Sequence, residues 1–456
     1  MRFIFILVFL FSAFAFAQES EVFVKVGEAK VKKSLIAFPP LQYTGTPGGS
    51  NFQSVGSELY RTVFNDLNSI GYFQFIDSKA FLEDTSKTAL IPIPASPKGF
   101  KWESWKSIGA EFLIRAGYSI SGKEITFETY TYNISKNELV MGKKYKSPIA
   151  SVQKMAHTFA NDLVKSLTGK EGMFLSKLVF SSDRGGGKYR EIYVMDWDGE
   201  NIQKITNHRG VALSPSWSPD GKKVAYSAFV RRVKSKKENV DLFVYEFKNG
   251  NRWQVSYREG INSGSAWMPD GKSILLTISQ GSNPDIFQIG MNGGLIKRLT
   301  SGPRGSMNVE PAISADSKKI AFSSDRSGQP MIYTMDSDGS NVKRITFAGK
   351  YNSTPTWSPD GKKLAFAGFL KGNYDIFIVN ADGTGLERLT QSKKSNGKAA
   401  DSEDPSFSPD GRHIVFTSNR TGVKQLYMIN PDGSNERRIT KDSSNYFKPK
   451  WSANLE

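Results

Sequence analysis

Short runs of alternating apolar and polar residues recur at a regular interval from about residue 175 onwards, and they predict β-strands. Each interval contains a turn phrase of the type Trp-Ser-Pro-Asp-Gly, in which Pro fixes φ, Asp bonds nearby backbone and Gly accepts a positive φ. The phrases begin 44 to 50 positions apart, at Trp217, Trp267, Ile313, Trp357, Phe407 and Trp451. Such a period is typical of propeller blades, solenoid turns or arrays.

The pattern inside one repeat favours a propeller blade. After the turn phrase at Ile313, a strand-forming run at 319–324 ends at a polar turn, Asp325-Arg-Ser-Gly. A second run begins at Ile332, and an Asp338-Gly turn leads into a short third one. With the segment at the start of each phrase, this makes four antiparallel strands per unit, as in a blade.

The two ends of the repeat region predict a closed ring. The first unit begins near Leu178 without a preceding turn phrase, whereas the last phrase, at Trp451, has no further strands after it. A C-terminal strand that completes the first blade would leave no unpaired strand edge. Residues 171–456 are therefore expected to form a six-bladed β-propeller closed by the C-terminal strand.

Residues 34–170 follow a different pattern. Residues 54–70 and 151–167 place apolar side chains on one helical face each, and shorter apolar runs between and around them predict strands. The resulting order β-α-β-α-β-β-β-α predicts a small α+β domain with a mixed sheet. The fold class expected for the whole chain is thus mainly β, a propeller preceded by this domain.

The first 33 residues have neither pattern. Residues 1–17 combine Arg2, an apolar stretch and Ala15-Phe-Ala17, which predicts a signal peptide cut after Ala17 and an exported, periplasmic protein. Residues 18–33 are expected to form a mobile N-terminal arm. Its alternating part could add a strand to the sheet of another protein, or dock as a strand on its own domain.

Charge changes this picture little. Among 456 residues, 61 Lys and Arg exceed 44 Asp and Glu, which gives a net charge of +17. This excess favours anionic partners, but a solvated surface with dispersed lysines explains it equally well. The aromatic residues fall at inward strand positions, so no nucleic-acid partner is expected. The chain has no cysteine, which excludes disulfides and thiol chemistry.

The sequence predicts neither an enzyme nor a metal or cofactor site. There is no Gly-x-Ser-x-Gly nucleophile phrase, and the chain has three histidines. His157 is expected to pack near a helix, His208 to lie in a turn, and His413 to be on the surface. The Asp196-x-Asp-Gly segment lacks the spacing of a calcium loop.

Proline positions predict a binding surface at one mouth of the propeller channel. A Pro lies two residues before most turn phrases, and it is expected to mark the first residue of each innermost strand. The residues just upstream would then form a ring of loops, which is where rigid scaffolds usually bind partners. The candidates are Asn262, Ser263, Val309, Glu310, Ser353, Thr354, Glu403, Asp404 and Lys448. Their three carboxylates would suit a basic or amide-rich partner, or would instead bond neighbouring blades or lysines.

Taken together, these features resemble the TolB family of the Tol–Pal envelope system. The resemblance rests on the exported α+β domain before six repeats, on the join from Ala156-His-Thr to Leu167-Thr-Gly-Lys-Glu-Gly-Met-Phe, and on the arm after the signal peptide. It implies a monomeric, non-catalytic adaptor that binds the lipoprotein Pal at the channel mouth, and possible contacts with other outer-membrane proteins.

The same resemblance implies that the arm engages a TolA-like inner-membrane protein, in support of envelope integrity and constriction during cell division. The matching arm residues are Glu21, Val22, Phe23, Val24, Lys25 and Val26. Two alternatives stay open: a propeller that binds envelope glycan or peptidoglycan, and the propeller of a peptidase.

Overall fold

The structure is a computed structural model that describes residues 33–46, 52–93, 98–232, 238–279, 283–303 and 305–455. The predicted signal peptide, and the arm up to residue 32, lie outside these residues. Among the described helices, none is long and apolar enough to cross a membrane.

The N-terminal domain is a mixed sheet with two long helices on one face. Its elements are β1 (Ser34–Ala37), β2 (Gln42–Tyr43), α1 (Phe52–Ser69), β3 (Phe73–Phe75), α2 (Trp102–Ser107), β4 (Phe112–Ser121), β5 (Glu124–Asn133), β6 (Glu138–Pro148) and α3 (Val152–Thr168). The strand order is β3-β1-β4-β5-β6, with β2 beside β4. Strand β1 is parallel to both neighbours, whereas β4, β5 and β6 are antiparallel. The predicted mixed sheet is confirmed.

The rest of the described chain forms six four-stranded antiparallel sheets, each of them one blade. Blade 1 contains β7 (Ser176–Ser182), β8 (Glu191–Asp196) and β9 (Gln203–Lys204), and blade 2 contains β10 (Ala212–Trp217), β11 (Lys223–Arg231), β12 (Glu238–Glu246) and β13 (Arg252–Ser256). Blade 3 contains β14 (Asn262–Trp267), β15 (Ser273–Ile278), β16 (Asp285–Gly290) and β17 (Leu295–Arg298).

Blades 4 to 6 repeat this arrangement. Blade 4 contains β18 (Asn308–Ile313), β19 (Lys319–Ser324), β20 (Met331–Asp336) and β21 (Lys343–Arg344), and blade 5 contains β22 (Tyr351–Trp357), β23 (Lys363–Leu370), β24 (Asn373–Asn380) and β25 (Glu387–Arg388). Blade 6 contains β26 (Ser402–Phe407), β27 (Ile414–Ser418), β28 (Gln425–Ile429) and β29 (Arg437–Arg438), and β30 (Tyr446–Asn454) follows it.

Strand β30 closes the ring as the innermost strand of blade 1. It runs antiparallel to β7, with Trp451 opposite Leu178. The Trp451 indole donates a hydrogen bond of 2.5 Å to the Ser176 hydroxyl, and Lys177 N donates to the Ser452 hydroxyl at 2.8 Å. The predicted six-bladed ring, closed by the C-terminal strand, is confirmed.

Three of the recurring tryptophans, Trp217, Trp267 and Trp357, tie their blades to the preceding one. The indole N–H of Trp217 donates to Lys450 O at 3.1 Å, and that of Trp357 donates to Ala312 O at 3.1 Å. Both acceptors belong to the innermost strand of the preceding blade. A buried indole N–H needs such an acceptor, so these bonds satisfy the polar end of a large apolar ring.

The N-terminal domain rests on blades 1 and 6. One apolar core runs from α1 and α3 through Phe174 and Trp197 of the propeller to Met428 in β28. His413, expected on the surface, is instead buried and donates from Nε2 to Ser69 O at 3.1 Å. Burial lowers the pKa of His413 to about 4. The expectation was wrong because the α+β domain covers a turn that faces solvent in sister blades.

The ring closure generates a first prediction. Trp451→Ala should lower the free energy of unfolding by about 3 kcal/mol, because it removes a large buried side chain at the joining strand. Urea denaturation monitored by circular dichroism of the backbone would measure this change in the free energy of unfolding. As a control, Phe347→Ala removes a ring that is 70% exposed and should change stability little. Equal effects of the two substitutions would contradict the role given to β30.

Candidate binding site at the channel mouth

All six innermost strands contain the same β-bulge. In each blade the pairing with the next strand skips two residues, for example between Val309 and Ala312 in β18 and between Glu403 and Ser406 in β26. The first skipped residue always has a positive φ, between 47° and 65°: Ser214, Gly264, Glu310, Thr354, Asp404 and Lys448. Five of these are not glycine, and a left-handed residue costs about 1–2 kcal/mol. Such strain persists only where the surrounding fold imposes it.

These bulges correct the sequence-based description of the mouth. Each Pro is the fourth or fifth residue of its innermost strand, not the first, as Pro311 in β18 and Pro355 in β22 show. The candidate residues therefore lie within strands, not in loops. Proline is accommodated there because a bulge leaves its nitrogen outside the ladder of hydrogen bonds.

The bulges surround a small cavity of about 50 Å³ on the propeller axis. It is large enough for a few water molecules. Of the predicted residues, Glu310, Thr354, Asp404 and Lys448 line it together. The other lining residues are Ser214, Pro215, Gly264, Ser265, Pro311, Pro355 and Lys450.

Lys448 forms ion pairs with both carboxylates of this cavity. Its Nζ lies 2.8 Å from Glu310 Oε1 and 3.5 Å from Asp404 Oδ1, and Glu310 Oε2 accepts a hydrogen bond of 2.9 Å from Thr354 N. Burial alone would raise the pKa of Glu310, but Lys448, the Thr354 amide and Lys450 together lower it. Burial would likewise lower the pKa of Lys448, but Glu310 and Asp404 raise it. Both groups are thus charged at neutral pH.

The remaining predicted residues have mixed roles. Glu403 pairs with Lys424 at 2.5 Å, so the third carboxylate is also neutralised. Ser263, Val309 and Ser353 lie half-buried at ladder positions immediately before a bulge. Asn262 is fully buried. Its side-chain amide donates to Val240 O and Arg258 O, and these bonds hold the turn before β14.

Sequence reasoning missed Ser214, Gly264 and Lys450. Ser214 precedes Pro215 as Glu310 precedes Pro311, so aligning the repeats would have found it. Gly264 was hidden because Ser265 replaces the proline. Lys450 occupies a position held in sister blades by Ser216, Ala266, Ala312, Thr356 and Ser406. Burial and the neighbouring Lys448 lower its pKa.

A second, larger cleft lies away from this site. It has a volume of about 1090 Å³ and separates the N-terminal domain from the turns of blades 5 and 6, with Tyr72, Lys170, Asp360 and Arg412 among its lining residues. In the described part of the chain, no group of three or more His, Asp or Glu residues is placed to hold a metal ion.

The lysine network generates a second prediction. Lys448→Met should destabilise the protein by about 2 kcal/mol at about pH 7, because two carboxylates in a partly buried cavity lose their cation. A carboxylate whose pKa is lower in the folded state stabilises the fold at pH values above its unfolded-state pKa. This contribution is lost as the pH falls and the carboxylate becomes protonated. The difference in the free energy of unfolding between Lys448→Met and wild type should therefore become smaller towards about pH 4. Urea titrations at both pH values would measure it.

Lys272→Met is the matched control for this substitution. Lys272 is exposed in the turn after β14, and it should show no such pH-dependent loss. If the loss of stability in Lys448→Met did not change with pH, the ion pairs of Lys448 would contribute nothing to that loss.

With the site described, comparisons place the chain among known proteins. The family described as TolB beta propeller domain matches residues 164–368 and 351–456, and the TolB amino-terminal domain matches residues 22–140. The Tol-Pal system protein TolB of Syntrophotalea carbinolica is 34% identical over 224 residues, 49% of each chain. A TolB homolog of Chlorobium chlorochromatii is 36% identical over 231 residues, 51% of this chain and 50% of that protein.

In these alignments the chain spans about half the length of the curated relatives it matches. Among solved structures, the crystal structure of TolB from Acinetobacter baumannii has a similar fold, with a TM-score of 0.74 and 24% identity. That similarity covers 93% of this chain and 98% of the other. The two family matches together extend over most of the sequence, and the chain belongs to the TolB family.

Proposed function

We propose that this protein is a non-catalytic adaptor of the Tol–Pal system in the periplasm, and that it binds a peptidoglycan-associated lipoprotein at the channel mouth. The observation that carries the proposal is the ring of six left-handed residues on a closed scaffold. A rigid surface of this kind loses little entropy when a partner docks, which favours binding. Relatives named as Tol-Pal system proteins support the assignment.

The histidines support a binding role over a catalytic one. His157 Nδ1 lies 2.8 Å from Asp66 Oδ2 in the buried interface, and His208 Nε2 lies 2.9 Å from the Tyr226 hydroxyl. His413 donates to a helix-end carbonyl, as described above. Each imidazole thus has a structural partner, and burial lowers the pKa of His208.

The arm gives the adaptor its second contact. Residues 21–26 alternate apolar and polar side chains, a pattern that suits strand addition to the sheet of a partner protein. We assign this contact to a TolA-like inner-membrane protein, so that one molecule would connect the two membranes during constriction.

A substitution at the mouth tests the lipoprotein contact. Val309→Trp should reduce capture of the outer-membrane lipoprotein from an envelope extract at least about tenfold, because a bulky ring beside the bulge obstructs the docking surface. Val342→Trp is the matched control, because Val342 is an exposed residue of the same blade in the outer turn before β21. It should capture as wild type does.

The results separate the proposal from its alternatives. Failure of the wild-type protein to capture any outer-membrane lipoprotein would overturn it. Retention of peptidoglycan fragments in place of a lipoprotein would favour the glycan-binding alternative. Equal loss in both tryptophan variants would place the contact away from the mouth.

A deletion tests the arm separately. The protein without residues 18–33 should lose capture of the inner-membrane partner, because the added strand is missing, and should keep capture of the lipoprotein. Immunoblots of the same extracts measure both. Undiminished capture of the inner-membrane partner would show that the arm is not its contact.

A further inference from the structure

A row of backbone hydrogen bonds joins blades 1, 2 and 3 beside the mouth. Ala212 N of blade 2 donates to Arg190 O of blade 1 at 2.8 Å, and Val240 N of blade 2 donates to Gly260 O before blade 3 at 3.3 Å. Within blade 2, Phe229 N donates to Val211 O at 3.0 Å, and within blade 3, Ser279 N donates to Ile261 O at 3.1 Å. Phe229 is also paired with Val240, which bridges to Ile261. Residues of three blades are therefore held side by side at the edge where β10 and β14 begin.

Large apolar side chains protrude along this edge. Tyr189, Phe229 and Ile261 are each about two-fifths exposed, and Tyr257 is 63% exposed. Exposed aromatic rings grouped on a rigid surface are typical of protein interfaces, where they act as anchors. We call the surface formed by Lys188, Tyr189, Arg190, Arg209, Phe229, Tyr257 and Ile261 the basic rim.

The charge of the rim is positive and not neutralised. Within the described part of the chain, Lys188, Arg190 and Arg209 are exposed and have no ion-pair partner. Glu191, which follows Arg190 in the chain, is buried and accepts hydrogen bonds from the Thr206 hydroxyl and from the backbone amides of residues 208 and 209. Glu259 is the exposed carboxylate in the adjoining turn.

The mouth and the rim differ in what they offer a partner. At the mouth, Glu310, Asp404 and Glu403 are already paired with Lys448 and Lys424 of this chain. The expectation that these carboxylates attract a basic partner therefore loses its basis. Apart from Glu259, the exposed charges of the rim that have no ion pair are cationic, and they lie next to exposed aromatic rings. Ile261 directly precedes β14, so the two surfaces are continuous.

We propose that the basic rim is the outer half of the partner-binding surface, and that it takes an acidic protein surface with an apolar anchor. This inference rests on the proposed function, because the partner is the one that docks at the mouth. Complementary charge accelerates association, while the aromatic residues slow dissociation. Lys188 and Arg209 steer the partner, and Tyr257 anchors it.

Charge reversal tests the steering role. The probe is the lipid-free soluble domain of the cognate peptidoglycan-associated lipoprotein, and its association and dissociation rates are measured at low and high salt. Lys188→Glu with Arg209→Glu should lower the association rate constant at low salt about tenfold, and high salt should remove most of the difference. Lys222→Glu with Lys272→Glu is the matched control, with the same charge change on exposed turns at the other ends of blades 2 and 3.

A separate variant tests the anchor. Tyr257→Ser should raise the dissociation rate constant about tenfold with little change in association. Phe347→Ser, which removes a ring that is 70% exposed on blade 4, should change neither rate. Circular dichroism of all variants confirms that they are folded.

The outcomes distinguish this inference from the proposed function. If wild type binds but neither rim variant differs from its control, the inference is overturned and the lipoprotein contact stands. If wild type does not bind the probe, the proposed function fails. Sedimentation with phosphatidylglycerol vesicles is a further measurement. Loss of vesicle binding in the charge-reversed variant, with unchanged affinity for the lipoprotein domain, would assign the rim to a membrane surface and overturn the inference.

Discussion

The antiparallel pairing of β30 with β7 is the interaction on which the rest of the structure depends. It joins residues 264 to 278 positions apart, from Tyr446 with Ser182 to Asn454 with Ser176, and it leaves no blade with an unpaired inner strand. Because Trp217 of blade 2 donates to a carbonyl of β30, the closing strand also completes the contact between blades 1 and 2. Loss of this strand would therefore expose the apolar cores on both sides of it.

The N-terminal domain covers this closure. Its helices share one apolar core with blade 1, which contains the seam between β30 and β7, and with the neighbouring blade 6. His413 of blade 6 bonds to the end of α1. Arg412 lies over the Tyr72 ring, 3.9 Å from its centre. The domain thus stabilises the point where the ring is held by hydrogen bonds and packing alone.

Ring closure also explains the chemistry of the mouth. Six strands converge on one axis, and each turns away through a bulge whose first residue has a positive φ. Charged side chains from blades 1, 4 and 6 meet there, so that one lysine pairs with two carboxylates. These carboxylates thus have partners within the chain, while lysine and arginine side chains without an ion pair lie further out on the rim. Shape at the centre and charge at the edge would then be complementary parts of the docking face proposed above.

The sequence by itself determined the number of blades, the turn at each repeat and the pairing of Trp451 with Leu178, because these depend on a period and on strand alternation that local residues encode. It also located Glu310, Asp404 and Lys448 near one mouth. Only the tertiary structure decided that each Pro lies inside a strand, that Lys448 pairs with both acids, and that Lys450 lines the same cavity. The physical reason is that these contacts unite segments from different blades around an axis. The burial of His413 has the same origin, since a separate domain covers a turn that its own repeat would leave in solvent.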